Sequence, residues 1–112
     1  MLPKPYRLPG HRILTILKSS QSFHSPFLTL KVLKNNQPQT QIGFIVSVKT
    51  CRLAVDRNRL KRQLRHALLP HLAQLKPNCE IIVLAKPAIL KQSLSVIQTD
   101  LFKLLKLCSL LN

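Results

Sequence analysis

A chain of 112 residues with 46% apolar side chains is long enough for one folded domain and too apolar for a disordered tail. Eighteen Lys and Arg against three acids, Asp56, Glu80 and Asp100, leave a net charge of +15, and such self-repulsion points to a polyanionic partner. No apolar run approaches the ~20 residues that span a bilayer, and Cys51, Cys79 and Cys108 form no Cys-x-x-Cys pair that would suggest a zinc or dithiol site.

Residues 1–8, MLPKPYRL, are broken by Pro3 and Pro5 and read as a flexible basic arm without an apolar signal core, so the expected location is the cytoplasm. From His11 to Ser20, Ile13, Ile16 and Leu17 recur at helical spacing. Residues 27–33, FLTLKVL, alternate as a strand, and the polar LKNNQPQT reads as a turn. Residues 42–48, IGFIVSV, read as a buried strand that closes an antiparallel hairpin with the first.

A basic connector, KTCR at 49–52, leads into a helix over 53–75 that Pro70 kinks or ends early. KPN at 76–78 is a break, and EIIVLA at 80–85 is a third apolar strand stopped by Lys86-Pro87. Leu90, Leu94, Ile97, Leu101, Leu104, Leu105 and Cys108 then fit a long amphipathic helix. The order α-β-β-α-β-α predicts an α+β domain, a small sandwich of helices on a sheet.

The stretch LAVDRNRLKRQLRHAL, 53–68, is both apolar and the most basic part of the chain. At ~100° per residue, Leu53, Leu60, Leu64, Ala67, Leu68, Leu72 and Leu75 share one sector. Arg57 and Lys61 intrude into that sector in the first turns, where an unpaired buried charge would cost several kcal/mol. The helix is therefore expected to be anchored by its later turns and open at its start. An arginine-rich ridge beside a helix N-terminus suits phosphate oxygens.

Catalysis by side chains finds no support. Asp56, Glu80 and Asp100 fall in different elements, and His11, His24, His66 and His71 are scattered. With only Gly10 and Gly43, there is no glycine-rich phosphate cradle.

The words AVDRNRLKRQLR, through Ala54, Val55, Arg57, Asn58, Arg59, Lys61, Arg62 and Arg65, resemble the signature of bacterial ribonuclease P protein subunits. RL at 7–8, Gly43, Val46, Ser47 and Lys49 in the strand, and IIVLAKP at 81–87 extend the likeness over nearly the whole chain. The resemblance implies helices packed on a mixed sheet of three to four strands, with a left-handed βαβ crossover against the general rule. It also implies a monomeric subunit that binds a large catalytic RNA, the two together cutting the 5′ leader from precursor tRNA. The RNA performs the chemistry with Mg2+, so no catalytic or metal-binding residue is expected in this chain.

The resemblance assigns RNA binding to Lys49, Arg52, Arg57, Asn58, Arg59, Lys61, Arg62 and Arg65. It assigns a leader cleft to Ile13, Leu17, Phe27 and Lys31. The family often carries aromatic residues where Ile13, Leu17 and Lys31 stand, and Phe23 and Phe27 are the remaining rings nearby. The alternatives are a basic ribosomal or RNA-chaperone protein with the same electrostatics, and a membrane-surface helix protein, which would need no sheet.

Overall fold

The computed structural model describes residues 2–108 and Leu110. Three helices, α1 (Ile13–Ser19), α2 (Ala54–Leu68) and α3 (Leu94–Leu107), surround one sheet of four strands: β1 (Gln21–His24), β2 (Leu28–Lys34), β3 (Gln41–Ile45) and β4 (Cys79–Ala85). The strand order is β1-β2-β4-β3. β1 and β2 pair antiparallel, as do β2 and β4, whereas β3 runs parallel to β4.

This order corrects one expectation and adds one strand. First, β2 and β3 do not form a hairpin, because β4 lies between them. The loop joining them crosses the approach to β4: the Asn35 N–H donates to Asn78 O at 2.8 Å, Asn78 Nδ2 to Gln37 O at 2.5 Å, and Thr40 Oγ1 to Lys76 O. Second, the hairpin partner of β2 is β1, a strand over residues for which the sequence pattern predicts no element. A four-residue edge strand with only Phe23 turned inward shows no usable alternation.

Burial follows from sheet position. β4 is apolar nearly throughout because helices cover both its faces. Ile81 and Val83 join Leu28, Leu30 and Ile42 in the main core, against Leu60, Leu64, Ala67 and Leu68 of α2 and Ile97, Leu101, Leu104 and Leu105 of α3. Ile82 points the other way and is fully buried, as is Ile16 of α1, which packs on β2 and β4.

α2 ends at Leu68, and a 3-10 segment, Leu69–Gln74, continues with Pro70 in its first turn, where the missing N–H is not needed. The helix expected over 53–75 is thus shorter, though Leu72 and Leu75 remain buried. A 3-10 segment, Pro87–Lys91, likewise precedes α3, whose N-cap Ser93 accepts from the Val96 N–H at 3.3 Å.

The segment expected as a flexible arm packs along β3. Leu2 is buried, Arg7 bridges to Ile42 in parallel fashion, and the Leu8 N–H donates to Ile42 O at 3.1 Å. Gly43 makes room: a Cβ there would meet Leu8 Cδ2 at 3.2 Å. Among the described residues, no helix is long and apolar enough to cross a membrane.

Candidate nucleic-acid interface

The connector from β3 to α2 is built first. Thr50 is buried, and its Oγ1 donates to Ala85 O at 3.1 Å, fixing the turn Ser47–Thr50 to the end of β4. The Cys51 N–H donates to Ser47 O at 3.0 Å and closes that turn. Lys49 and Arg52 are exposed on it, beside the start of α2.

The first turns of α2 stand clear of the core. Ala54, Val55, Asn58 and Arg59 are exposed, and Leu60 is the first buried residue of the helix. Arg57, Lys61 and Arg65 are half-buried, and Arg62 is exposed. Leu53 does not join the apolar stripe; it is 65% exposed. It is the N-cap, with extended φ and ψ of −86° and 130°, so helical angular spacing does not govern where its side chain goes.

The cations differ in freedom. Arg57 Nη1 donates to Cys51 O at 2.9 Å and to Arg52 O at 2.8 Å, so this guanidinium braces the connector. Arg59 meets Asp56 at 3.1 Å, an exposed i, i+3 pair. Arg65 Nε donates to Lys61 O at 3.2 Å along the helix. No ion pair is found for Lys49, Arg52, Lys61 or Arg62 among the described residues. Seven of the eight residues assigned to RNA binding are cationic, and all eight lie on the connector or on α2.

The opposite sheet face carries the cleft candidates. Ile13 and Leu17 flank the buried Ile16 and stay half-buried. Lys31 lies on this face, opposite Ile82 of β4, and its Nζ donates to Ser22 Oγ at 2.8 Å. Phe27 is not with them. It sits in the bend before β2, its carbonyl accepting from the Lys86 N–H at 2.9 Å, and it packs against the core under α2 and α3. Phe23 packs against the same core.

One strong interaction escaped the sequence pattern. Arg12, just before α1, pairs with Glu80 at the start of β4. The hydrogen bond from Arg12 holds the Glu80 carboxyl below the usual carboxylate range, against the opposing effect of burial. Burial pushes the Cys108 thiol up to about 11 and raises that of Cys79, so neither is a ready nucleophile at neutral pH. Among the described residues, no three His, Cys, Asp or Glu side chains gather as a metal site.

Known proteins share this fold. A family model described as Ribonuclease P matches residues 2–109. A ribonuclease P protein component from Pseudanabaena sp. (strain PCC 6903) is 33% identical over 114 residues, covering 100% of this chain and 98% of that one. The solved RNase P protein of Staphylococcus aureus superposes with a TM-score of 0.84 at 26% identity, over 96% of this chain and 98% of that one. The RNase P protein from Thermotoga maritima, at 24% identity and a TM-score of 0.80 over 89% of this chain and 94% of that one, has the same fold.

Proposed function

This chain belongs to the ribonuclease P protein family, and on that footing we propose that the basic surface of α2 docks on the catalytic RNA while the α1 face receives the 5′ leader of precursor tRNA. The chain is the protein component of an RNA–protein endoribonuclease, and its RNA-binding role serves tRNA processing. The observation that carries the docking surface is the start of α2: exposed cations on a connector that Thr50 ties to the end of β4, with the helix anchored only from Leu60 onward. These cations lower the repulsion between two RNAs and so reduce the magnesium the complex needs.

In this reading the bond-breaking chemistry belongs to the RNA, one copy of the protein acts per complex, and the site of action is the cytoplasm. The residues of the chain do not fit a magnesium site of its own. Mg2+ prefers several oxygen ligands in a near-octahedral shell. The three carboxylates lie in separate elements, Asp56 beside Arg59, Glu80 beside Arg12, and Asp100 accepting from Ser25 Oγ at 2.5 Å. The ion is assigned to the RNA.

Reconstitution tests the proposal. The protein is added to a ribonuclease P RNA at low magnesium, and leader removal from precursor tRNA is measured. Acceleration only with both components is the expected result. RNA binding without acceleration would overturn it in favour of a general RNA-chaperone role.

A further inference from the structure

A basic cavity adjoins the α2 surface at Lys61 and Arg65 and adds Arg7 of the N-terminal segment to it, and its interpretation rests on the RNA-binding function proposed above. Between the N-terminal segment, the outer edge of β3 and the middle of α2 is a cavity of about 290 Å3. Leu2, Leu8 and Phe44 supply apolar lining. Phe44 packs against the core but remains partly open. Arg7, Lys61 and Arg65 line the same cavity.

These three cations have no carboxylate among the described residues. All three acids of the chain are engaged elsewhere, Asp56 by Arg59, Glu80 by Arg12 and Asp100 by Ser25. Arg7 Nε donates to Leu2 O at 2.8 Å and Arg65 Nε to Lys61 O at 3.2 Å, which fixes both side chains while their Nη groups have no protein acceptor among the described residues. Three like charges around one small cavity favour an anion between them. An anion-holding rim next to an apolar, partly aromatic floor matches a nucleotide better than a bare phosphate.

We propose that this cavity binds one nucleotide of an RNA strand, its phosphate held by Arg7, Lys61 and Arg65 and its nucleoside resting on Phe44, Leu2 and Leu8. The RNA interface then extends from α2 onto the N-terminal segment, and Arg7 becomes a binding residue.

Amide NMR of the full chain at low ionic strength tests the site, with uridine 5′-monophosphate, uridine and inorganic phosphate as probes. The expected result is saturable shifts at residues 7–8, 42–44 and 61–65 with the nucleotide, and several-fold weaker effects with either half alone. Shifts confined to the start of α2, or equal effects of phosphate alone, overturn it. In a second arm, Arg7→Ala and Lys61→Ala are compared with Arg62→Ala for affinity to a ribonuclease P RNA, and to precursor tRNA when that RNA is already bound. Lys61 makes no side-chain hydrogen bond among the described residues, so its variant remains informative should Arg7→Ala release the N-terminal segment. Each cavity variant should lower the salt slope by about one for the RNA that supplies the nucleotide. If Arg62→Ala weakens binding and Lys61→Ala does not, the cavity is unused and the family function stands. If none of the three alters either affinity, the docking proposal fails with it.

Discussion

Arg12 and Glu80, 68 positions apart, meet in a two-pronged ion pair: Nε donates to Oε2 at 2.8 Å and Nη2 to Oε1 at 2.7 Å. Glu80 is only 3% exposed. The pair ties the entry of α1 to the start of β4, so it sets how α1 sits on the sheet face assigned to the leader. The folded state holds the Glu80 carboxyl below its ordinary value, so the pair stabilises the fold fully at neutral pH and loses that effect as pH falls through the carboxylate range. Glu80→Gln should lower the unfolding midpoint at pH 7. The gap to wild type should narrow below about pH 4, read by urea unfolding at several pH values.

Two arginines of α2, Arg57 and Arg62, should behave differently. Arg57 makes two hydrogen bonds to the connector, so Arg57→Ala should cost about 1–3 kcal/mol of stability as well as RNA affinity. Arg62 is exposed and without an ion pair among the described residues, so Arg62→Ala should change stability by no more than about 0.5 kcal/mol. It should still lower the salt slope of RNA binding by about one. Denaturant melts and filter binding at several salt concentrations separate the two effects; equal stability losses would remove the bracing role of Arg57.

Leu64 is completely buried between α2 and the sheet. Leu64→Ala should destabilise the domain by about 2–5 kcal/mol. At temperatures where the variant stays folded, its RNA affinity should match wild type, because no cation has moved. Calorimetry and binding below the melting point check both halves.

Asp100 accepts a hydrogen bond from Ser25 Oγ at 2.5 Å, and Lys86 Nζ donates to Ser25 O at 2.6 Å. The β1–β2 bend is thereby tied to α3 and to the end of β4. Asp100→Ala should cost about 1–3 kcal/mol, and Asp100→Asn less, since an amide oxygen can still accept. Hydrogen exchange should speed up first at residues 24–28; uniform loss of protection would contradict a local tie.

Ile13 and Leu17 offer aliphatic surface on the α1 face. If that face receives single-stranded leader, Leu17→Phe should tighten precursor tRNA binding by about 1–3 kcal/mol through base stacking. Mature tRNA, which lacks the leader, should bind unchanged. Equal tightening for both RNAs, or none, would remove Leu17 from the leader path.

The elements that owe most to local chemistry were legible from residues alone. The three helices and the strands β2, β3 and β4 declared themselves by apolar spacing, and Leu60 through Leu68 were identified as the anchoring stripe of α2. The open start of that helix followed from charge alone, because the chain has too few acids to neutralise buried Arg57 and Lys61. Arg57 nevertheless turned out to brace the connector, a role set by two carbonyls that no side-chain pattern reveals.

Tertiary structure decided what depends on distant segments meeting. Insertion of β4 between β2 and β3 replaced the expected hairpin, since adjacency in sequence cannot specify which strand edge is already taken. The same insertion brought Glu80 to Arg12. Docking of residues 2–8 on β3, permitted by the bare Cα of Gly43, set Arg7 beside Lys61 and Arg65. Composition and period thus determined a basic, amphipathic domain suited to a polyanionic partner. Long-range pairing, whose energy comes from burial and hydrogen bonds between segments far apart in the chain, determined where its charges converge.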